Sequence, residues 1–354
     1  MNQLDAVDQI RAVDSHGMYD KIYRFPEQID EAITIGRKIE PDPDFFSGIK
    51  GIVLAGMGGS AIGGDLARSY LRHQLKIPFE ICRNYRLPAS VDKDYLVIAS
   101  SYSGWTEETL AALDDALARG ARIACLTTGG RLGKIADQKG FLKVILPTGY
   151  QPRAALGFSF IPLLFFLEKT GLIKNVTSEI AALAPGLKKY REQYDLAVGT
   201  DNNPAKSLAL RLQGKIPVIY TGPELTDIVG LRWKGQICEN AKMLAFNNQF
   251  SEFNHNELVG WNEYNVSPDR LAVVILRDSD DAAPIKKRIP IVREMIEKRG
   301  IEVIDIYSQG DFPLGRIFSL IQLGDFTSFY LAILNNVDPT PIEAIDYLKE
   351  KLAE

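Results

Sequence analysis

The sequence reads as an α/β protein made of parallel, doubly wound sheets in two similar halves, and three observations lead there. Short β-branched apolar runs alternate with helical patterns along most of the 354 residues. Two strand-to-helix turns near the front, Gly51–Asp65 and Tyr95–Thr109, stop their apolar runs at small residues and hydroxyls. The same strand-glycine-helix opening returns at Pro217-Val-Ile-Tyr-Thr-Gly222.

Taken in order, residues 1–47 carry helical spacing through Met18, Ile22, Phe25, Ile29, Ile33 and Ile35, ending at the turn signal Pro41-Asp-Pro-Asp44. Strands are expected at 51–56, 79–82, 95–100, 122–127 and 142–146, with helices over 61–73 and 106–119. Strands that alternate with helices imply right-handed crossovers and a parallel sheet. Helices at about 154–171 and 178–197 bridge to the second half. There, strands are expected near 216–221, 247–252, 271–276 and 301–306, with helices near 225–245, 284–299 and 313–334. A terminal helix over 341–353 follows Pro339-Thr-Pro341. The expected division is a helical segment 1–47, a first α/β subdomain 48–172 and a second 173–354.

The bulk numbers narrow the function classes. A net charge of -4 with no arginine-rich stripe argues against a nucleic-acid partner. The three cysteines, Cys82, Cys125 and Cys238, lie in apolar stretches and read as reduced thiols of a cytoplasmic protein. Residues 1–30 are polar, with no apolar central region of the kind a signal peptide needs. The run Ala154–Leu167, broken by Gly157, Ser159 and Pro162, is too short to cross a bilayer, so no membrane partner is expected.

The two front turns suit an anion. A helix N-terminus presents unpaired N–H groups and a partial positive charge. Glycines such as Gly59 let the backbone approach a ligand, and Ser60, Ser101, Ser103 and Thr106 can donate to phosphate oxygens. Neither turn carries a Gly-Lys-Ser/Thr, so neither is a nucleoside-triphosphate loop. Hydroxyls without a lysine suit one phosphate monoester. A single glycine-serine loop is common in βα turns; two in one sheet favour ligand binding.

Elsewhere the spacing leaves roles open. Arg153, after Pro152 and before an apolar helix, either reaches a phosphate bidentately or is a surface arginine at a helix start. Glu239, in Trp233-Lys-Gly-Gln-Ile-Cys-Glu-Asn-Ala-Lys242, reads first as an exposed glutamate; set among apolar neighbours, a carboxylate can also serve as a general base. Of three histidines, His255 is the one framed by polar residues after a strand, where a proton-shuttle role competes with an inert loop position. No Cys/His cluster has metal-ligand spacing, and neither a metal nor a cofactor is expected.

Together Gly58-Gly-Ser-Ala-Ile-Gly-Gly64, Ser101-Tyr-Ser-Gly-Trp-Thr-Glu-Glu-Thr109, Pro152-Arg-Ala-Ala-Leu-Gly157, Glu239-Asn-Ala-Lys242 and Asn254-His-Asn-Glu257 resemble the bifunctional phosphoglucose/phosphomannose isomerases. These belong to the sugar isomerase (SIS) domain superfamily, and the resemblance runs from about residue 45 to the C-terminus. It implies two flavodoxin-like, three-layer αβα SIS subdomains and a homodimer that shares its active site. It implies hexose 6-phosphate substrates and metal-free aldose–ketose isomerisation. Gly59, Ser60, Ser101, Ser103 and Thr106 would bind the phosphate, and Arg153 would hold the reacting oxygens. Glu239 would move the proton between C1 and C2, and His255 from the neighbouring subunit would open the sugar ring. A functional lysine near the C-terminus matches Lys349, with Lys351 two residues away.

One position departs from the family pattern: Trp105 stands where the second loop usually has asparagine, which bears on substrate preference. Two rival readings compete with this one, and the second, which Trp105 in the ligand loop favours, stays as the alternative. Gly56-Met-Gly-Gly-Ser-Ala61 also satisfies a dinucleotide fingerprint, but Glu80 is poorly placed for a ribose hydroxyl and the second hydroxyl loop has no use there. A non-catalytic sugar-phosphate sensor has no need of Glu239, His255 and Lys349 together.

Overall fold

The computed structural model describes residues 3–174, 176–263 and 266–353. Packing divides the chain into two compact units: Arg24–Pro185, and Met1–Tyr23 together with Gly186–Glu354.

In the Arg24–Pro185 unit, β1 (Gly51–Gly56), β2 (Phe79–Cys82), β3 (Tyr95–Ser100), β4 (Arg122–Thr127) and β5 (Leu142–Ile145) form one parallel sheet in the order β2-β1-β3-β4-β5. Alternation along the strands supplies two faces. Val53, Ala55, Val97, Ala99, Ile123 and Cys125 pack with Leu110, Leu113 and Ala116 of the helix Glu107–Ala118 and with Leu132 and Ala136 of Gly130–Lys139. On the opposite face Leu54 lies under Gly64 of the helix Gly58–Tyr70. Buried on both faces, the central strands β1 and β3 read as near-continuous apolar runs, whereas the edge strands β2 and β5 carry Glu80 and Lys143. The helix Phe25–Arg37 packs on Leu156–Lys169, where a Cβ added at Gly36 would come within 2.4 Å of the Phe165 ring. Gln28 ties the same pair, donating to the carbonyl of Ala154 at 2.8 Å and accepting from the N–H of Gly157 at 2.7 Å.

The other unit carries β6 (Ile216–Thr221), β7 (Phe246–Gln249), β8 (Leu271–Arg277) and β9 (Glu302–Tyr307), all parallel, in the order β7-β6-β8-β9. Val218, Tyr220, Val273, Ile275 and Val303 pack on the helix Ala283–Glu297. Behind the sheet, Thr226–Ala241 crosses Pro313–Leu334 so closely that a Cβ on Gly324 would lie 2.2 Å from Trp233 Nε1. Pro313–Leu334 is apolar and long enough for a membrane span, yet 89% of its most apolar window is buried inside the protein, as befits a core helix.

The expected fold class therefore holds, and nearly every expected strand lies within a residue or two of its observed bounds. Three short helices were not legible: Gly130–Lys139, Pro204–Leu212 and Glu257–Glu263. Packing also cuts the chain elsewhere than at 47/48 and 172/173. Within the N-terminal helices, Leu4, Ile10 and Tyr19 are buried in the Gly186–Glu354 unit, with Thr200 donating to Asp5 and Tyr19 to Asp195. Phe25–Arg37 belongs to the first sheet's unit.

Candidate active site

In a sheet ordered β2-β1-β3-β4-β5, the strand order reverses between β1 and β3, and the crevice beyond their carboxyl ends is the place for a ligand. Both hydroxyl-rich turns leave from these two strands. Their contacts draw them together: Ser60 Oγ accepts from the N–H of Tyr102 at 3.0 Å, and Ser100 Oγ donates to the carbonyl of Ser60 at 3.2 Å. Ser101 is wholly buried, its Oγ 2.8 Å from Thr106 Oγ1 and accepting from the N–H of Gly104 at 3.1 Å. Thr106 is the N-cap of Glu107–Ala118, and its side chain makes no capping bond. Helix Gly58–Tyr70 likewise begins without a side-chain cap, so neither start satisfies its first-turn N–H groups in that way.

The loop after β3 is braced from β4. The N–H and Oγ1 of Thr128 donate to the carbonyl of Tyr102 at 3.0 and 2.7 Å. Gly104, at φ +72°, lets the carbonyl of Gly129 approach to where a Cβ would be 2.0 Å away, so no other residue fits there. Ser103 Oγ accepts from the N–H of Trp105, whose ring is 63% exposed at the rim of the loop.

Gly59 brings in the cation. Its missing Cβ leaves room for the backbone of Pro152 and Arg153, and Arg153 is only 3% exposed at the start of Leu156–Lys169. The surface-arginine alternative is thereby removed. Gly59, Ser60, Ser101, Ser103, Thr106 and Arg153 all belong to the Arg24–Pro185 unit.

Glu239, His255 and Lys349 belong to the other unit and lie on separate elements. Glu239 is half-buried in the last turn of Thr226–Ala241 and lines a pocket of about 580 Å³ with Cys238, Lys242, Val337, Asp338 and Ile342. It is not the freely exposed glutamate of the plainer alternative. Lys242 ends that helix in the left-handed region, at φ 56°, and its Nζ donates to the carbonyls of Glu239 at 2.6 Å and Pro339 at 3.2 Å. The helix end is thus tied to the segment that leads into Glu343–Ala353. Lys242, Asp338 and Glu343 are charged pocket residues that sequence reasoning missed; the signal for Lys242 was its place in Glu239-Asn-Ala-Lys242.

His255 closes the turn Glu252–His255 and is exposed. Lys349, on Glu343–Ala353, is 67% exposed and faces Asp346 at 3.6 Å, whereas Lys351 lies over the Tyr347 ring at 5.9 Å. Neither lysine lines the Glu239 pocket, although the first turn of their helix does. Among the described residues, no group of three or more His, Cys, Asp and Glu side chains is arranged to hold a metal ion.

The strand orders are those of doubly wound α/β sheets, and the matches to family models place the chain in the sugar isomerase domain class. Residues 45–162 match the SIS domain model, and residues 201–352 match that of the bacterial phospho-glucose isomerase C-terminal SIS domain. A solved structure, the hypothetical protein TT0462 from Thermus thermophilus, shares the fold with a TM-score of 0.75 at 16% identity, over 98% of this chain and 94% of that one. The bifunctional phosphoglucose/phosphomannose isomerase of Caldicellulosiruptor bescii is 47% identical over 95% of this chain and 99% of its own length. That of Aquifex aeolicus is 36% identical over 86% and 90%. The chain belongs to the bifunctional phosphoglucose/phosphomannose isomerase family and is an enzyme of that isomerase family.

Proposed function

We propose that this enzyme interconverts fructose 6-phosphate with glucose 6-phosphate and mannose 6-phosphate by proton transfer through a cis-enediolate. The observation that carries the reading is the pair of hydroxyl-lined turns at the β1/β3 switch point, with buried Arg153 against Gly59. Ser60, Ser101, Ser103 and Thr106 hold the 6-phosphate, with backbone N–H groups at Gly59 and the helix starts. Binding energy from the phosphate, remote from C1 and C2, positions the carbons that react.

From fructose 6-phosphate, the Glu239 carboxylate removes a C1 proton as the C–H electron pair forms the C1–C2 double bond of the enediolate. Arg153 balances the charge that develops on oxygen. Glu239 then returns the proton to C2 as the O1 proton passes to O2 and the C1–O1 carbonyl forms. Delivery to one face gives the glucose configuration and to the other the mannose configuration. Before this, His255 moves a proton to the ring oxygen as the furanose opens, the anomeric hydroxyl giving up its proton to become the C2 carbonyl, and Lys349 assists at the same sugar. A carboxylate and a histidine are suited to these transfers near neutral pH.

The exposure of His255 on a turn supports a homodimer in which it is available to a second copy. Exposed Ile345, Leu348 and Leu352 line one side of Glu343–Ala353, a face that self-association would cover. Three free cysteines, with Cys125 pushed up to about 12 by burial and so inert, support a reducing, cytoplasmic setting.

The test is turnover of fructose 6-phosphate by purified protein, with glucose 6-phosphate and mannose 6-phosphate followed by separate coupled reactions. Both products are expected. Neither product, with fructose 6-phosphate still raising the melting temperature, would replace the isomerase with a sugar-phosphate sensor.

A further inference from the structure

The turn bearing His255 is gripped on both sides by a single side chain, Tyr220 of β6. Two residues before the histidine, Phe253 lies flat on the Tyr220 ring, with centroids 3.9 Å apart and planes 7° from parallel. Two residues after it, the Glu257 carboxylate accepts the Tyr220 hydroxyl on Oε1. Its Oε2 accepts from Asn248 Nδ2 at 2.7 Å. Tyr220 and Asn248 are direct partners in the β6–β7 ladder, so the carboxylate bridges two neighbouring strands. Trp261 Nε1 completes the network by donating to the Tyr220 oxygen at 2.6 Å. Tyr220, Phe250, Phe253 and Trp261 are all buried in one core, and His255 stands exposed on the turn beside them.

We propose that Glu257, acting with Tyr220, is a positioning residue for His255 in the isomerase reaction. The inference rests on the reading that His255 opens the sugar ring. A histidine that hands a proton to a ring oxygen must arrive within hydrogen-bond reach, and it is carried here on a short turn and not on a regular element. The ring stack sets the height of the turn above the sheet, and the two carboxylate bonds set its rotation. A carboxylate that accepts two donors is a stronger anchor than a neutral amide, because charge-assisted bonds are roughly twice as strong as neutral ones. Glutamine at 257 keeps the shape but brings N–H groups against one of the two donors.

The test compares His255→Gln, Glu257→Gln, Tyr220→Phe and the His255→Gln/Glu257→Gln double variant on glucose 6-phosphate, with a C2-deuterated sample alongside. Glu257→Gln is expected to lower kcat by about tenfold to a hundredfold, the scale of a misplaced group, with KM little changed. Ring opening then becomes the slow step, so the C2-deuterium isotope effect on kcat falls toward 1. The double variant is expected to be no slower than His255→Gln alone, since both changes remove one function. Tyr220→Phe keeps the ring stack and is expected to show the same fall in isotope effect, which secures the result if Glu257→Gln fails to fold. Wild-type kcat in Glu257→Gln and Tyr220→Phe beside a slow His255→Gln would overturn the proposal alone. A loss that adds in full to that of His255→Gln, or an unchanged isotope effect, would also overturn it. Wild-type kcat in His255→Gln would overturn the ring-opening reading, and the proposal with it.

Discussion

A methyl group added at Gly59 would stand 2.5 Å from the carbonyl carbon and oxygen of Pro152 and 2.9 Å from the nitrogen of Arg153. Backbone cannot rotate out of the way, so the turn that carries Arg153 must shift. Gly59→Ala is therefore expected to cost about 1–3 kcal/mol, the usual range for overpacking, and to raise KM for fructose 6-phosphate. Thermal unfolding and initial rates check the two parts separately; an unchanged KM would detach Arg153 from the substrate. At this scale the sequence told less about the second unit than the first. Glycines and serines between a strand and a helix have few other uses in pairs, so Gly59, Ser60, Ser101 and Thr106 stood out. Glu239 did not, because a glutamate near a helix end looks the same whether it meets solvent or a pocket. What decides it is the return of Val337–Ile345 to that helix end, a contact about a hundred residues away in sequence.

Between elements, the pair Arg232–Asp325 joins Thr226–Ala241, which carries Glu239, to the core helix Pro313–Leu334. Arg232 Nη2 donates to Asp325 Oδ2 at 2.7 Å and Gln236 Nε2 to Oδ1 at 2.8 Å, all in the interior. Burial pushes the Asp325 carboxyl upward, and the arginine opposes this. Asp325→Ala would strand the guanidinium without its counter-charge and is expected to cost about 3–5 kcal/mol. Urea unfolding of the variant measures this; a loss below about 1 kcal/mol, the value of an exposed pair, would contradict it. The elements themselves were mostly legible, since β-branched runs bounded by glycine announce strands. The helices missed were short or polar: Gly130–Lys139 opens on two glycines, and Pro204–Leu212 occupies nine residues between turns.

Across the whole chain, the least legible feature was its division. Residues 1–47 read as one helical segment ending at the turn Pro41-Asp-Pro-Asp44, whereas Phe25–Arg37 is held by Gln28 and Phe165 and Met18–Tyr23 by Phe326 and Phe329 through Tyr19. Only side-chain partners far along the chain separate those adjacent helices. The N-terminal segment is also tied by Asp338, which accepts from Ser15 at 2.6 Å and meets His16 Nδ1 at 2.7 Å. Burial pushes the Asp338 carboxyl up, but Ser15, His16 and the N–H of Thr340 outweigh it and hold the group below the usual range. Because the folded value lies below the unfolded one, the stabilisation is fully present above about pH 4 and is lost as pH falls through the folded value. Asp338→Asn is expected to lower the melting temperature at pH 6 and to converge on the wild type toward about pH 2–3. A constant difference between the two curves would remove Asp338 as an acid-sensitive tie.

The most direct test of the account is the rate of both products in Glu239→Gln. One carboxylate is assigned to both epimers, so glucose 6-phosphate and mannose 6-phosphate formation must fall together, by about 10²–10⁴-fold, in a protein that still folds and binds fructose 6-phosphate. Retention of either product at the wild-type rate would contradict a single base at Glu239.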